Sequence, residues 1–147
     1  MSAGAKVLLV DENDEFVDAL GAWLEAEIAD LRIVGRAHSL LEAVAQAARH
    51  HPDLVVSDVT LPDGSGFEIA HRLAAITPGA ACFLLTLYEG NEVEAEGRAA
   101  GAHACMAKTA VPKKLLPAVR ALLAARDGDL KEHLDHGDTV GICGNGH

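Results

Sequence analysis

The stretch from Pro52 to Glu68, PDLVVSDVTLPDGSGFE, decides how the chain is read. Asp53 to Ser57 (DLVVS) is a short apolar run introduced by a proline, as expected of a strand covered on both faces. The run stops at Asp58. Pro62, Gly64 and Gly66 then break regular structure and mark a loop. Ser65 and Glu68 stand three apart in the pattern of a capping box, so a helix is expected to open there and run to about Ile76. The unit is therefore strand, acidic residue, loop and helix.

The same alternation continues on both sides. Upstream, Lys6 to Val10 (KVLLV) is an apolar run that ends in Asp11–Glu12. From Asp14 to Ile28, Val17, Leu20, Leu24 and Ile28 recur at helical spacing, with Phe16 and Trp23 beside them and Asp14 as the expected cap. Leu31 to Ala37 reads as a second strand, and Ser39 with Glu42 as another capping box. Downstream, Ala81 to Thr86 is a fourth strand, Asn91 to Ala100 a helix, His103 to Ala107 a fifth strand and Pro112 to Ala125 a last helix. Five strand–helix units in succession predict an α/β, doubly wound parallel sheet with helices on both faces. Residues 1–126 are expected to form one domain. Residues 127–147, DGDLKEHLDHGDTVGICGNGH, read as a flexible polar tail rich in glycine and histidine. The spacing of His133, His136, Cys143 and His147 within it matches no standard zinc finger.

Composition narrows the function. Half of the 147 residues are hydrophobic and only 3% aromatic, which favours close-packed aliphatic layers. A formal net charge of −10 argues against binding nucleic acid or an anionic membrane. No run approaches a membrane span and MSAGAK has no signal core, so a cytoplasmic location is expected. Cys82 and Cys105 lie in apolar runs and read as buried free thiols; with Cys143 they make an odd set without paired spacing.

Open α/β sheets build their sites beyond the carboxyl ends of the strands. Here those ends carry Asp11–Glu12, Asp58, Thr86 and Lys108. Converging carboxylates repel one another unless a cation neutralises them, and oxygen ligands with open water positions suit Mg²⁺ or Mn²⁺. The Thr86 hydroxyl and the Lys108 ammonium suit a transferring phosphoryl group. Asp58 is the best candidate nucleophile, because a carboxylate can attack phosphorus and because it stands between a strand and a flexible turn.

With these residues in this order, the chain resembles the receiver domain of two-component response regulators. VLLVDEN (7–13) is similar to that family's acidic metal-binding segment, and PDLVVSDVTLPDGSGFE to its phosphoacceptor strand and loop. FLLTLYE (83–89) is similar to its switch-threonine strand, and GAHACMAK (101–108) to its lysine strand. The resemblance covers about residues 5–125. It implies a (βα)5 flavodoxin-like fold with strand order 2-1-3-4-5 and phosphoryl acceptance on Asp58. It further implies Mg²⁺ held by Asp11, Glu12, Asp58 and the backbone carbonyl of Thr60, with Thr86 and Lys108 contacting phosphoryl oxygens. The implied phosphodonor is a histidine kinase or phosphotransfer protein, and the output is a phosphorylation-dependent contact with a partner protein. Such a domain assists only its own phosphorylation and dephosphorylation. Family members commonly form homodimers through their later helices; this sequence leaves that open.

Three departures stand out. Cys105 occupies the position where the family usually has Tyr or Phe, three residues before its lysine, and Thr109 follows Lys108 where proline is frequent. Gly97 interrupts a helix with few large apolar anchors and with Glu92, Glu94 and Glu96 alternating along it, so that helix is expected to be weakly held. These departures motivate an alternative, a constitutive interaction module with a silent site. A further alternative is the receiver part of a longer transcription regulator. An aspartyl phosphatase is disfavoured, because no second acid follows two positions after Asp58.

Overall fold

The computed structural model describes residues 4–87 and 91–128. Strands β1 (Ala5–Val10), β2 (Leu31–Ala37), β3 (Leu54–Asp58), β4 (Ala81–Thr86) and β5 (Ala104–Ala107) form one parallel sheet in the order β2-β1-β3-β4-β5. Helices α1 (Asp14–Glu27), α2 (Leu40–His50), α3 (Gly66–Ile76), α4 (Asn91–Ala100) and α5 (Val111–Gly128) follow the strands in turn. The expected fold and strand order are those observed.

Successive side chains of a strand point to opposite faces, and this alternation sorts the core into two layers. Val7, Leu9, Leu54, Val56, Phe83, Leu85 and Ala104 pack with residues of α1 and α5 on one face. Leu8, Val10, Val55, Cys82, Leu84 and Cys105 pack with residues of α2 and α3 on the other. The central strands are buried along their whole length, which is why they read as unbroken apolar runs. Cys82 and Cys105 are buried and carry thiols rather than a disulfide.

Helix starts follow the expected chemistry with local corrections. Ser65 and Glu68 form a complete capping box at α3. At α2, the Ser39 side chain accepts the Glu42 N–H, but the Glu42 carboxylate accepts the N–H of His38, one residue early, so the box is not closed. Asn13, rather than Asp14, caps α1: its Oδ1 accepts the Phe16 N–H at 3.0 Å. Asp14 is the first helical residue, and its carboxylate pairs with His38 Nε2. A 3-10 turn, Lys108–Ala110, joins β5 to α5, and the described residues contain no cis peptide bond. Helix α5 extends to Gly128, two residues into the segment read as a tail. The histidines and the cysteine singled out in that tail lie outside the described residues.

Gly97 faces the sheet. A Cβ placed there would meet Cys105 Sγ and Leu84 Cδ1 at 3.5 Å, ordinary contact distances. Gly97→Ala is therefore expected to stabilise the protein by about 0.5–1 kcal/mol, through helix propensity without a clash. An increase in the urea midpoint at unchanged slope checks this.

His103 precedes β5. Its N–H donates to the Cys82 carbonyl at 2.8 Å, and its Nδ1 accepts the Cys82 N–H at 3.4 Å. Desolvation of the ring, then the nearby Arg126 charge, lowers its pKa from the ordinary 6.5. The unfolded chain thus binds this proton more readily than the folded one. The resulting stability is present above pH 6.5 and is lost as pH falls from there through the lowered value. Unfolding midpoints are expected to fall on acidification across this window, and to fall less in His103→Gln.

Candidate functional site

Strand parity brings the site together. Val7, Leu9 and Asp11 alternate along one line, as do Leu54, Val56 and Asp58, and Ala104, Met106 and Lys108. All three lines lie on the α1/α5 face, and the adjacent strands carry them to one rim. Cys82, Leu84 and Thr86 follow the opposite parity, so Thr86 reaches that rim from the α2/α3 side. Thr86 is 5% exposed.

At the rim, the Lys108 ammonium stands 2.8 Å from Asp11 Oδ2 and donates to Asp58 Oδ2 at 3.2 Å. Burial by itself lowers the Lys108 pKa. The close contacts and charges of Asp11 and Asp58 outweigh it, and the net shift is upward from the ordinary 10.5. The ammonium thus stays charged until pH rises above that value. Asp11 is 3% and Asp58 9% exposed, so the lysine is the counter-charge for two nearly sealed carboxylates.

The remaining oxygens are held by the backbone. Asp11 Oδ1 accepts the Asn13 N–H at 2.9 Å, and Asp58 Oδ1 the Thr60 N–H at 3.1 Å. Thr60–Leu61 and Gly64–Ser65 form a two-residue antiparallel ladder that closes the loop. The Gly66 N–H donates to the Val59 carbonyl at 2.8 Å, which makes Thr60 and Ser65 a non-hydrogen-bonded pair. The N–H and carbonyl of Thr60 therefore both turn out of the ladder, toward the side where its N–H meets Asp58.

The oxygen donors at the rim are of the chemistry that suits a Mg²⁺ ion. Asp11 Oδ2 is buried and lacks a hydrogen-bond partner in good geometry, although the ammonium is within ion-pair distance. Two carboxylates and an outward carbonyl are hard oxygen donors of the kind Mg²⁺ accepts, with water completing its shell. The set fits the ion. Among the described residues, no three His, Cys, Asp or Glu side chains are gathered around one point. Glu12 is exposed, adjacent to Asp11 and of the opposite parity.

Three residues near the site have roles that the sequence reading did not assign. The Phe16 ring lies under the Lys108 ammonium, 4.5 Å from centroid to nitrogen. Asp63 accepts the N–H groups of Leu40 and Leu41 at 2.6 and 3.0 Å and so ties the loop to the start of α2. Those two bonds, in that order of weight, lower its pKa from the ordinary 3.8. Gly66, read as a loop breaker, leaves no room for a Cβ beside the Asp58 carbonyl.

A parallel five-stranded sheet whose carboxyl rim joins two aspartates and a lysine is a recognisable class of signalling domain. The response regulator receiver domain family matches residues 7–120, and the chain belongs to that family. It is 37% identical over 125 residues to the DNA-binding transcriptional activator DevR/DosR of Mycobacterium tuberculosis, covering 82% of this chain and 55% of the relative. It is 33% identical over 117 residues to the probable transcriptional regulatory protein TcrX of the same organism, covering 80% and 49%. The chain thus spans about half the length of the curated relatives it matches. Among solved structures, a LuxR-family two-component response regulator from Aurantimonas sp. SI85-9A1 superposes with a TM-score of 0.77 at 26% identity, covering 83% of this chain and 86% of that one. A CheY-like receiver domain protein from Methanospirillum hungatei JF-1 gives 0.75 at 25%, covering 84% and 97%. The domain is the receiver of a two-component response regulator, and no helix among the described residues is long and apolar enough to cross a membrane.

Proposed function

We propose that Asp58 accepts a phosphoryl group in a Mg²⁺-dependent reaction and that the phosphorylated domain signals through contacts with a partner protein. The observation that carries this reading is the Lys108 ammonium bridging Asp11 and Asp58 at the carboxyl rim of a receiver sheet. Asp11, Asp58 and the Thr60 carbonyl would hold the ion, with Glu12 as the family-implied further acid. When bound, Mg²⁺ supplies positive charge that offsets the negative charge of the phosphoryl oxygens.

In the transfer, a lone pair on an Asp58 oxygen attacks phosphorus and an O–P bond forms. The bond from phosphorus to the donor breaks, and its electron pair leaves with the donor atom, an imidazole nitrogen in a histidine kinase or phosphotransfer protein. Lys108 donates to one equatorial oxygen and Thr86 to another, stabilising charge as it spreads. Residues 1–126 act as the receiver domain in the cytoplasm, and the chain turns over no external substrate. The acidic net charge favours a protein rather than a nucleic-acid surface as the direct contact of this segment.

Incubation with a small acyl phosphate tests the reading by intact mass. One phosphoryl adduct is expected with Mg²⁺ and none with chelator. Wild-type protein that takes no label from any donor, with Mg²⁺ or Mn²⁺, would instead favour a constitutive interaction module with a silent site.

A further inference from the structure

We propose that Phe16 is a positioning residue whose ring holds the Lys108 ammonium at the mouth of the site, ready to meet the incoming phosphoryl oxygen. Two linked observations carry this. The ammonium lies over the ring at 4.5 Å while it touches Asp11 and Asp58. The ring's backbone is in turn registered to the same carboxylate: Asp11 Oδ1 accepts the Asn13 N–H at 2.9 Å, and Asn13 Oδ1 accepts the Phe16 N–H at 3.0 Å. Asp11, Asn13, Phe16 and Lys108 thus close a loop of contacts that fixes the aromatic face relative to the carboxylate pair.

The electrostatics give this loop a purpose. A cation is attracted to the negative face of an aromatic ring, and partial burial of the contact strengthens the attraction. When Asp58 becomes an acyl phosphate, the oxygen that Lys108 meets there changes. The ring contact does not change. Phe16 therefore supplies a constant partner through the transfer, whereas an aliphatic side chain of similar size would fill the space without attracting the charge. Phe16 also packs against the core, so the test must separate packing from placement.

This inference rests on the phosphoacceptor reading, and the test distinguishes their failures. Phe16→Leu keeps an apolar side chain, and Phe16→Tyr keeps the ring. The first readout is the NMR shift of the Lys108 ε-methylene protons, which a ring beneath them moves upfield. That shift is expected in wild type and Phe16→Tyr and lost in Phe16→Leu. The second is affinity for beryllium fluoride in the presence of Mg²⁺, with the rate of labelling by a small acyl phosphate. Both are expected to fall about two- to fivefold in Phe16→Leu, the equivalent of one cation–π contact at a partly exposed site, and to recover in Phe16→Tyr. Phe16→Leu binding and labelling as well as wild type, or a Lys108 shift unaffected by loss of the ring, overturns the proposal. Phe16→Tyr failing alongside Phe16→Leu reduces Phe16 to a packing residue and overturns it equally. Wild-type protein that neither binds beryllium fluoride nor labels overturns the phosphoacceptor reading, and the role of Phe16 with it. The ring-current shift in that case still reports whether the contact forms.

Discussion

Asp58→Asn is expected to abolish covalent labelling by a small acyl phosphate while leaving the fold intact. Asparagine has nearly the same shape, but its amide oxygen carries no full charge and is a poor nucleophile toward phosphorus. The substitution removes one of two nearly sealed carboxylates that face each other across Lys108, so it also relieves repulsion. Lys108 keeps its 2.8 Å partner in Asp11. Loss of function without loss of structure is the expected pattern. It is read by intact mass after acid quenching, with circular dichroism as the check on folding. A mutant that labels at the wild-type rate would remove Asp58 from the acceptor role.

Gly66→Ala is expected to damage both stability and labelling. The added Cβ would stand 2.5 Å from the Asp58 carbonyl oxygen and 2.8 Å from Leu84 Cδ2. A leucine methyl group can swing away, but the carbonyl is fixed by its strand and also accepts a bond from Ser57 Oγ at 2.8 Å. Something in the backbone must give. Overpacking of this kind costs about 1–3 kcal/mol, and the displaced segment is the one that carries the proposed acceptor. Urea unfolding followed by fluorescence of Trp23, the one tryptophan, measures the first effect, and the labelling rate measures the second. The same substitution at Gly97 is expected to act in the opposite direction, because its contacts begin at 3.5 Å. If both variants behaved alike, helix propensity alone would be the explanation.

The fold was legible because its signals are local and repeated. Unbroken apolar runs, loop glycines and helical periodicity mark the strands and helices within one or two residues, apart from the last helix, which runs three residues past Ala125. Much of the site was legible for the same reason. A period of two, continued from Leu9, Val56 and Met106, delivers Asp11, Asp58 and Lys108 to one face. Glu12, grouped with Asp11 in the sequence, is the adjacent residue and is exposed. Ser39 and Glu42 have the spacing of a capping box, yet the glutamate chose the His38 amide, a geometry that spacing cannot distinguish. Asn13 and Asp14 are both good caps, and only the turn geometry selects between them. The contacts of Phe16, Asp63 and Gly66 were not legible, because each acts on a residue remote from it or through its missing side chain. Asp63 reaches Leu40 across 23 positions, and no local pattern marks such a bond.

The lysine bridge has a consequence for how the domain rests between signals. A cleft that concentrates acid usually depends on an ion from solution to keep it from pushing itself apart. This chain carries a tethered substitute, delivered by the last strand of its own sheet. On the proposed Mg²⁺-dependent mechanism, scarcity of magnesium would silence the chemistry and spare the architecture, so the receiver would wait folded for whatever reaches it first.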